Sequence, residues 1–320
     1  MSEKILVTGA FGQIGTELVE ALHKKHGRDK VVSLAYYDNK IPPDFAGVLE
    51  KGSTEDKDLM EGIISRHGIT QIYHLASILS ANGEKNPQLA WNVNVASLKN
   101  MLDLAVEHKA RIFIPSSIAV FGPDTPRKNT PQHTVTEPAT MYGVTKVVGE
   151  LLCQYYFMKY GLDVRGIRYP GLISWKTEPG GGTTDYAVAI FYEAIKTGRY
   201  ACYLRNDSTM PMMYMDDAIK GTIQIMEAPA EQIKARTAYN LAAISFSPGE
   251  IATEIKKHIP GFECTYTPDF RQKIADSWPM SIDDSDARKD WGWKHDYDLA
   301  KMTAEMLKQL KTKLTTGIAV

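Results

Sequence analysis

Cysteine is scarce in this chain: Cys153, Cys202 and Cys264 are the only three in 320 residues. They lie far apart and form no Cys-x-x-Cys pair, so neither a disulfide framework nor a thiolate metal site is expected, and a reducing compartment is. Neither sign of charge is in excess. With 37 Lys plus Arg against 38 Asp plus Glu the formal net charge is -1, too weak a field to hold nucleic acid or an anionic membrane surface. No apolar run approaches the roughly 20 residues that span a bilayer. The opening residues run straight into a strand pattern without a signal or transit segment, so the expected location is cytoplasmic; a mitochondrial one requires that a transit segment has been removed. His-Glu-x-x-His is absent, and His23 and His26 fall on the first helix as surface residues, so no metal is expected.

What is present is an ordinary globular composition, 43% apolar and 23% charged, long enough for one large or two modest cores. Short β-branched runs alternate with longer helical stretches, the signature of βαβ units and a parallel sheet covered on both faces. Strands are expected at Lys4–Thr8, Val31–Tyr36, Gln71–Ala76, Arg111–Pro115 and Val164–Tyr169. Helices are expected over residues 12–25, 59–67, 90–107 and 140–160. The fold class is α/β. Beyond residue 170, glycines and prolines cut the chain into shorter pieces, with a strand-like run over about 237–243 able to return to the main sheet. Ser247-Pro248 reads as an N-cap followed by a first helical residue, and Leu299–Leu310 as a closing amphipathic helix.

Thr8-Gly9-Ala10-Phe11-Gly12-Gln13-Ile14-Gly15 follows the first strand and opens the first helix. A pyrophosphate needs backbone N–H donors and a helix N-terminus aimed at it, and side chains at Gly9, Gly12 and Gly15 would block its approach. In that context the turn points to nucleotide binding. The expected architecture is therefore a doubly wound, Rossmann-type sheet of six or seven strands over residues 1–170, with 171–320 mainly a smaller substrate-binding lobe.

Tyr142 and Lys146 are four apart on the expected 140–160 helix and share a face. A free phenol has a pKa of about 10, so a tyrosine base working near neutrality needs a downward shift of about three units, roughly 4 kcal/mol of phenolate stabilisation. The neighbouring ammonium is expected to supply it. Ser117 follows the Arg111–Pro115 run, at the carboxyl end of its strand, where ligands bind in such sheets.

The glycine turn, Tyr142-Gly143-Val144-Thr145-Lys146 and Ser116-Ser117 resemble the short-chain dehydrogenase superfamily, its extended branch in particular. By that resemblance Tyr142 is the base, Lys146 also holds the nicotinamide ribose hydroxyls, and Ser117 hydrogen-bonds the substrate oxygen. The resemblance implies that NAD is held by Gly9, Phe11, Gly12, Gln13, Ile14, Gly15, Asp38, Ser53, Thr54, Leu75, Ala76, Ser77, Tyr142, Lys146 and Tyr169. Further segments narrow it: His74-Leu75-Ala76, Ile112–Ser116, Pro179-Gly180-Gly181-Gly182-Thr183-Thr184, Pro211-Met212-Met213-Tyr214-Met215 and Ser277-Trp278-Pro279. With these the chain resembles the epimerase-like, short-chain family of L-threonine 3-dehydrogenases. The implied reaction is L-threonine plus NAD giving 2-amino-3-oxobutanoate plus NADH. Ser80, Ser117, Tyr142, Gly180, Thr184 and Trp278 are the implied substrate residues; the three glycines Gly180–Gly182 suit a loop that orders over a substrate, a lid, or a passive surface connection.

Each substrate residue has a plainer reading: Thr184 or Asp185 as an N-cap, Ser80 as a turn residue, Trp278 as core. The chain also departs from its relatives' pattern. Ala35 stands where an acidic residue usually accepts the adenosine ribose, leaving Asp38 as the first carboxylate, and Ser53 stands where many relatives keep an Asp. Arg168-Tyr169-Pro170-Gly171 lacks the Asn that nucleotide-sugar enzymes of this branch place after Arg-Tyr-x. A nucleotide-sugar epimerase or dehydratase is the alternative reading, and a non-catalytic NADP-sensing protein a remote one. Relatives pair two long helices per subunit in a four-helix bundle, which implies a homodimer here, with Leu98, Leu102, Leu151 and Tyr155 suitably spaced.

Overall fold

The computed structural model describes residues 3–180 and 182–316. From the N-terminus, β1 (Ile5–Thr8) leads into α1 (Gln13–His26), β2 (Val31–Ala35), β3 (Val48–Lys51), α2 (Lys57–His67) and β4 (Gln71–His74). Two short helices follow, α3 (Ser80–Lys85) and α4 (Pro87–Trp91), then a π-helical turn Asn92–Ala96 and α5 (Ser97–Glu107). After β5 (Arg111–Ser117) come α6 (Met141–Tyr160), β6 (Val164–Tyr169), β7 (Gly171–Ile173), α7 (Tyr186–Lys196), β8 (Arg199–Cys202) and β9 (Met210–Tyr214). The chain ends with α8 (Met215–Glu227), β10 (Tyr239–Asn240), β11 (Ile244–Phe246), α9 (Pro248–His258), β12 (Glu263–Tyr266), α10 (Arg271–Ser277), α11 (Ser285–Trp291) and α12 (Leu299–Thr316). No helix among the described residues is long and apolar enough to cross a membrane.

Seven strands form the central sheet in the order β10-β6-β5-β4-β1-β2-β3, and β1 pairs in parallel with both β2 and β4. Strand order reverses beside β1, so the carboxyl ends of β1 and β4 flank the switch point where doubly wound sheets bind ligands. Ile-Leu-Val-Thr of β1 and Val-Val-Ser-Leu-Ala of β2 are buried throughout, as strands covered on both faces require. On one face Leu6, Val32, Leu34, Ile72, Ile112 and Val164 join Met60, Ile63 and Ile64 of α2, Leu98, Met101, Leu102 and Ala105 of α5, and Cys153 and Tyr156 of α6 in one core.

The chain separates into two compact units: residues 1–120, 139–168 and 219–239 form the first, and 121–138, 169–218 and 240–320 the second. The expected division is 1–170, joined by the returning run over about 237–243, and 171–320; the observed units are more finely divided. Residues 121–138, expected in the first domain, cluster with the second, and 219–239 cluster with the first. The second unit contains a three-stranded sheet, β11-β9-β7, and a parallel pair of β12 with β8.

The expected helix over 90–107 is present, with a π turn at Asn92–Ala96 inside it. Pro87 fixes a fresh start for α4, with the Asn86 side chain accepting from Leu89 N–H at 3.1 Å, and the π turn inserts a residue before α5. Two residues expected at a subunit interface are also reassigned: Leu98 and Leu102 are buried in the core, where each side chain contributes about 1.5–3 kcal/mol by leaving water. Leu151 and Tyr155 of α6 do face outward, at 62% and 44% exposure.

Candidate active site

In the first unit, the turn after β1 depends on two glycines. Gly9 has φ +64, and a Cβ there would come within 2.9 Å of backbone atoms of Leu75 and Ala76. A Cβ at Gly15 would come 2.1 Å from the Gly9 carbonyl oxygen, so the first turn of α1 can approach β1 only as glycine. Gly12 N–H donates to the Gly9 carbonyl at 3.0 Å, and no side chain caps α1. Its first-turn amides are thus suited to an anion. This uncapped, glycine-lined turn fits a dinucleotide pyrophosphate. Phe11 meets Phe45 edge to face at 5.0 Å, while Gln13 and Ile14 open α1.

The ends of β1 and β4 are tied together. Thr8 Oγ1 lies 2.9 Å from His74 Nδ1 and accepts from Ala76 N–H at 3.3 Å. Burial, with a smaller contribution from the Lys146 charge, pushes His74 down to about 3. The ring is therefore neutral, and Thr8 Oγ1 joins its Nδ1 to the Ala76 amide. Beyond it, Leu75, Ala76 and Ser77 line the strand end, half-buried. Asn94, in the π turn, fixes this loop: its Oδ1 accepts from Ile78 N–H at 2.7 Å and Ser77 Oγ at 3.1 Å, and its Nδ2 donates to the Ile78 carbonyl and to Thr145 Oγ1, both at 3.0 Å. Ser80 opens α3, half-buried.

Thr140 caps α6 by accepting from Gly143 N–H at 3.1 Å, which sets the rotation of the helix. Tyr142 and Lys146 share a face, with Nζ 5.3 Å from the phenol ring centroid. Ser117 ends β5 and hydrogen-bonds the Tyr142 side chain. The expected acidic phenol is not found here. Burial pushes Tyr142 up to about 12, with the Ser117 hydrogen bond opposing. The Lys146 Nζ donates to the Pro115 carbonyl at 2.9 Å. Lys146 itself is lowered to about 8 by burial, against upward pulls from Cys153 and Glu150. Cys153 is held as a neutral thiol by burial, so Glu150 supplies the effective negative charge.

The adenosine-side residues are less gathered. Asp38 sits in an exposed turn, 75% exposed, with an oxygen 2.9 Å from Lys51 Nζ. Ser53 Oγ accepts from Glu55 N–H at 3.1 Å, and Thr54 is buried.

In the second unit, Tyr169 is buried at the end of β6. Gly180 and Gly182 donate their amides to Asp185 Oδ2 at 2.7 and 2.9 Å; Gly181 lies outside the described residues. Asp185 therefore ties the loop instead of capping α7, to which its side chain makes no cap bond. Thr184 packs over Gly171, where a Cβ would come 2.9 Å from the threonine Cβ. Trp278 is buried at 8% exposure, and its carbonyl accepts from Arg127 Nε at 3.0 Å.

Sequence reasoning missed Asn94 and Glu150 as parts of this region, and gave Thr8, Ser116, Thr145 and Arg168 no role beyond the motifs that contain them. For Glu150 a signal existed, since it stands four residues after Lys146.

Residues 5–242 match the NAD dependent epimerase/dehydratase family. The chain belongs to this family, and the turn, sheet and Tyr142–Lys146 pair are its framework for an NAD-dependent oxidoreductase. Within it, the chain is 48% identical over 309 residues to the mitochondrial L-threonine 3-dehydrogenase of Bos taurus, covering 95% of this chain and 82% of the relative. It is 49% identical to an uncharacterized epimerase/dehydratase of Staphylococcus haemolyticus, covering 97% and 98% of the two chains. Among solved structures, L-threonine dehydrogenase from Clostridium difficile superposes with a TM-score of 0.95 at 49% identity, covering 98% of each chain.

Proposed function

We propose that this protein oxidises the 3-hydroxyl of L-threonine to 2-amino-3-oxobutanoate, with NAD as the acceptor. The observation that carries the reading is the convergence of Ser117, Tyr142 and Lys146 at the carboxyl end of β5, in a chain 48% identical to a mammalian L-threonine 3-dehydrogenase. NAD, when bound, takes the hydride from the substrate carbinol carbon and brings the positive charge of its oxidised ring. The glycine turn and the first amides of α1 hold its pyrophosphate, and Lys146 its ribose hydroxyls. Ser117 orients the substrate hydroxyl, and Tyr142 Oη takes its proton. A phenol raised by burial is a poor base until positive charge reaches it, so Tyr142 deprotonates in the loaded enzyme and not before. Ser80, Gly180, Thr184 and Trp278 are assigned to the substrate.

Mixing the protein with NAD and, separately, L-threonine, D-threonine, L-serine, 3-hydroxybutyrate or a nucleotide sugar, with a chelator present, tests the proposal through NADH formation. Activity on L-threonine that vanishes in Tyr142→Phe supports it; turnover confined to the nucleotide sugar overturns it. Gly171 stands where nucleotide-sugar enzymes place their acceptor Asn, which weighs against that alternative. The outer face of α6, with Leu151, Tyr155 and Met158 exposed, is proposed as the dimer surface for a second copy. Sedimentation as a monomer at micromolar concentration refutes it. The scarcity and wide spacing of the cysteines favour the cytoplasm as the working compartment.

A further inference from the structure

Three consecutive residues of β5 each bind one member of a single stripe on α6. The Pro115 carbonyl accepts from Lys146 Nζ at 2.9 Å, Ser116 Oγ donates to Glu150 Oε1 at 2.5 Å, and Ser117 bonds the Tyr142 side chain. Tyr142, Lys146 and Glu150 stand at i, i+4 and i+8, one face of the helix. The first two are the reacting pair. The third is 6% exposed and is gripped by Arg168 of β6, Nε to Oε1 at 2.8 Å and Nη2 to Oε2 at 2.7 Å. This is a bidentate, charge-assisted pair whose geometry leaves the carboxylate little freedom.

We propose that Glu150 is a positioning residue for this reaction: clamped by Arg168 and Ser116, it keeps the Lys146 ammonium charged and in register with Tyr142 and Ser117. Lys146 and Glu150 both line a cavity of about 20 Å³ beneath the strand end, large enough for one water molecule. Screening there is weak, so a fixed charge one turn away acts strongly. The groups facing Lys146 from each packed element are few. From β4 comes His74, neutral; from β5 the hydroxyls of Ser116 and Ser117; from α6 the neutral Tyr142 and Cys153 and the Glu150 carboxylate. From β6 comes Arg168, joined to Glu150 on its far side. Among these the carboxylate is the anion that opposes the burial of the lysine. Burial lowers the proton affinity of Lys146, and a discharged lysine neither holds ribose hydroxyls as a cation nor favours a phenolate.

This inference rests on the proposed role of Lys146, and its test separates the two. Lysines labelled with 13C at the ε carbon are titrated by NMR in the protein alone, Lys146 being assigned by its loss in Lys146→Arg. In Glu150→Gln the Lys146 proton affinity is expected to fall about tenfold or more, since the carboxylate is gone and Arg168 is left unbalanced. In the double variant Glu150→Gln/Arg168→Met, which buries no lone charge, a smaller fall in the same direction is expected. The alkaline limb of kcat/KM should move to lower pH by the same amount, with KM for the substrate unchanged at pH 7. A purely structural role would lower activity at every pH without moving the limb. Lys146 titrations within about twofold of the parent in the double variant would overturn the proposal. Failure of L-threonine to reduce NAD would overturn the reaction, and the lysine titration would still be readable.

Discussion

His74 is a neutral base locked between two strand ends, and that makes the stability of the first unit dependent on acid. Its ring is 3% exposed and bonds Thr8 through Nδ1. In the unfolded chain it titrates near its ordinary value of 6.5, while in the folded protein it is held at about 3. A depressed folded pKa means that the unfolded state binds more protons below 6.5. Stability is thus complete above that value and drains away as the pH falls towards 3. At pH 5 the unfolded imidazole is almost fully protonated and the folded one almost fully neutral, a difference of about 1.5 units or roughly 2 kcal/mol. His74→Asn keeps an acceptor near the Nδ1 position and removes the titration. It is expected to cost about 1 kcal/mol at every pH through lost packing. Urea unfolding followed by far-UV circular dichroism at pH 7.5 and 5.0 gives the comparison. The parent should lose about 2 kcal/mol more than the variant between the two conditions. Equal losses, or a His74 ring signal that titrates near 6.5 in the folded protein, would refute the reasoning.

Gly15→Ala would press a Cβ to 2.1 Å from the Gly9 carbonyl oxygen; backbone cannot yield there, so the turn opens. NAD affinity measured by calorimetry should fall about a hundredfold or more, and unchanged affinity would mean that the turn does not hold the pyrophosphate. Tyr142→Phe removes the proton acceptor and keeps the ring, so kcat should drop about 10²–10⁴-fold with NAD affinity near that of the parent. Asn94→Ala strands the buried Ile78 amide, at a cost of about 1–3 kcal/mol; hydrogen exchange at that amide should accelerate well ahead of the α5 amides.

How much of this was legible follows from how local each constraint is. The Gly9–Gly15 turn and the Tyr142–Lys146 pair are set by spacing within a single turn or helix, so their residue types and intervals carry the geometry. The first core was legible for the same reason, through the β-branched runs of β1 and β2. The edge strand β3, Val-Leu-Glu-Lys and half-buried, has neither an apolar run nor alternation to announce it. Leu98 and Leu102 have a helical spacing that fits an interface as well as a core. Only the packing of α5 on the sheet decides between them.

The same distinction explains the pKa of the base. From the sequence, an ammonium four residues from a phenol lowers its pKa; in the fold, the desolvation of the phenol outweighs the hydrogen bond from Ser117. Spacing fixes which groups are neighbours, and the third dimension fixes how far each is taken out of water. Glu150 shows what periodicity alone leaves out. Its i+8 position was readable, but a buried carboxylate acquires its role from a partner 18 residues away on another strand and from a serine on a third element. Isolated, Glu150 would be a charge buried at a cost of several kcal/mol. Joined to Arg168 and Ser116, it becomes a fixed anion aligned with the reacting pair.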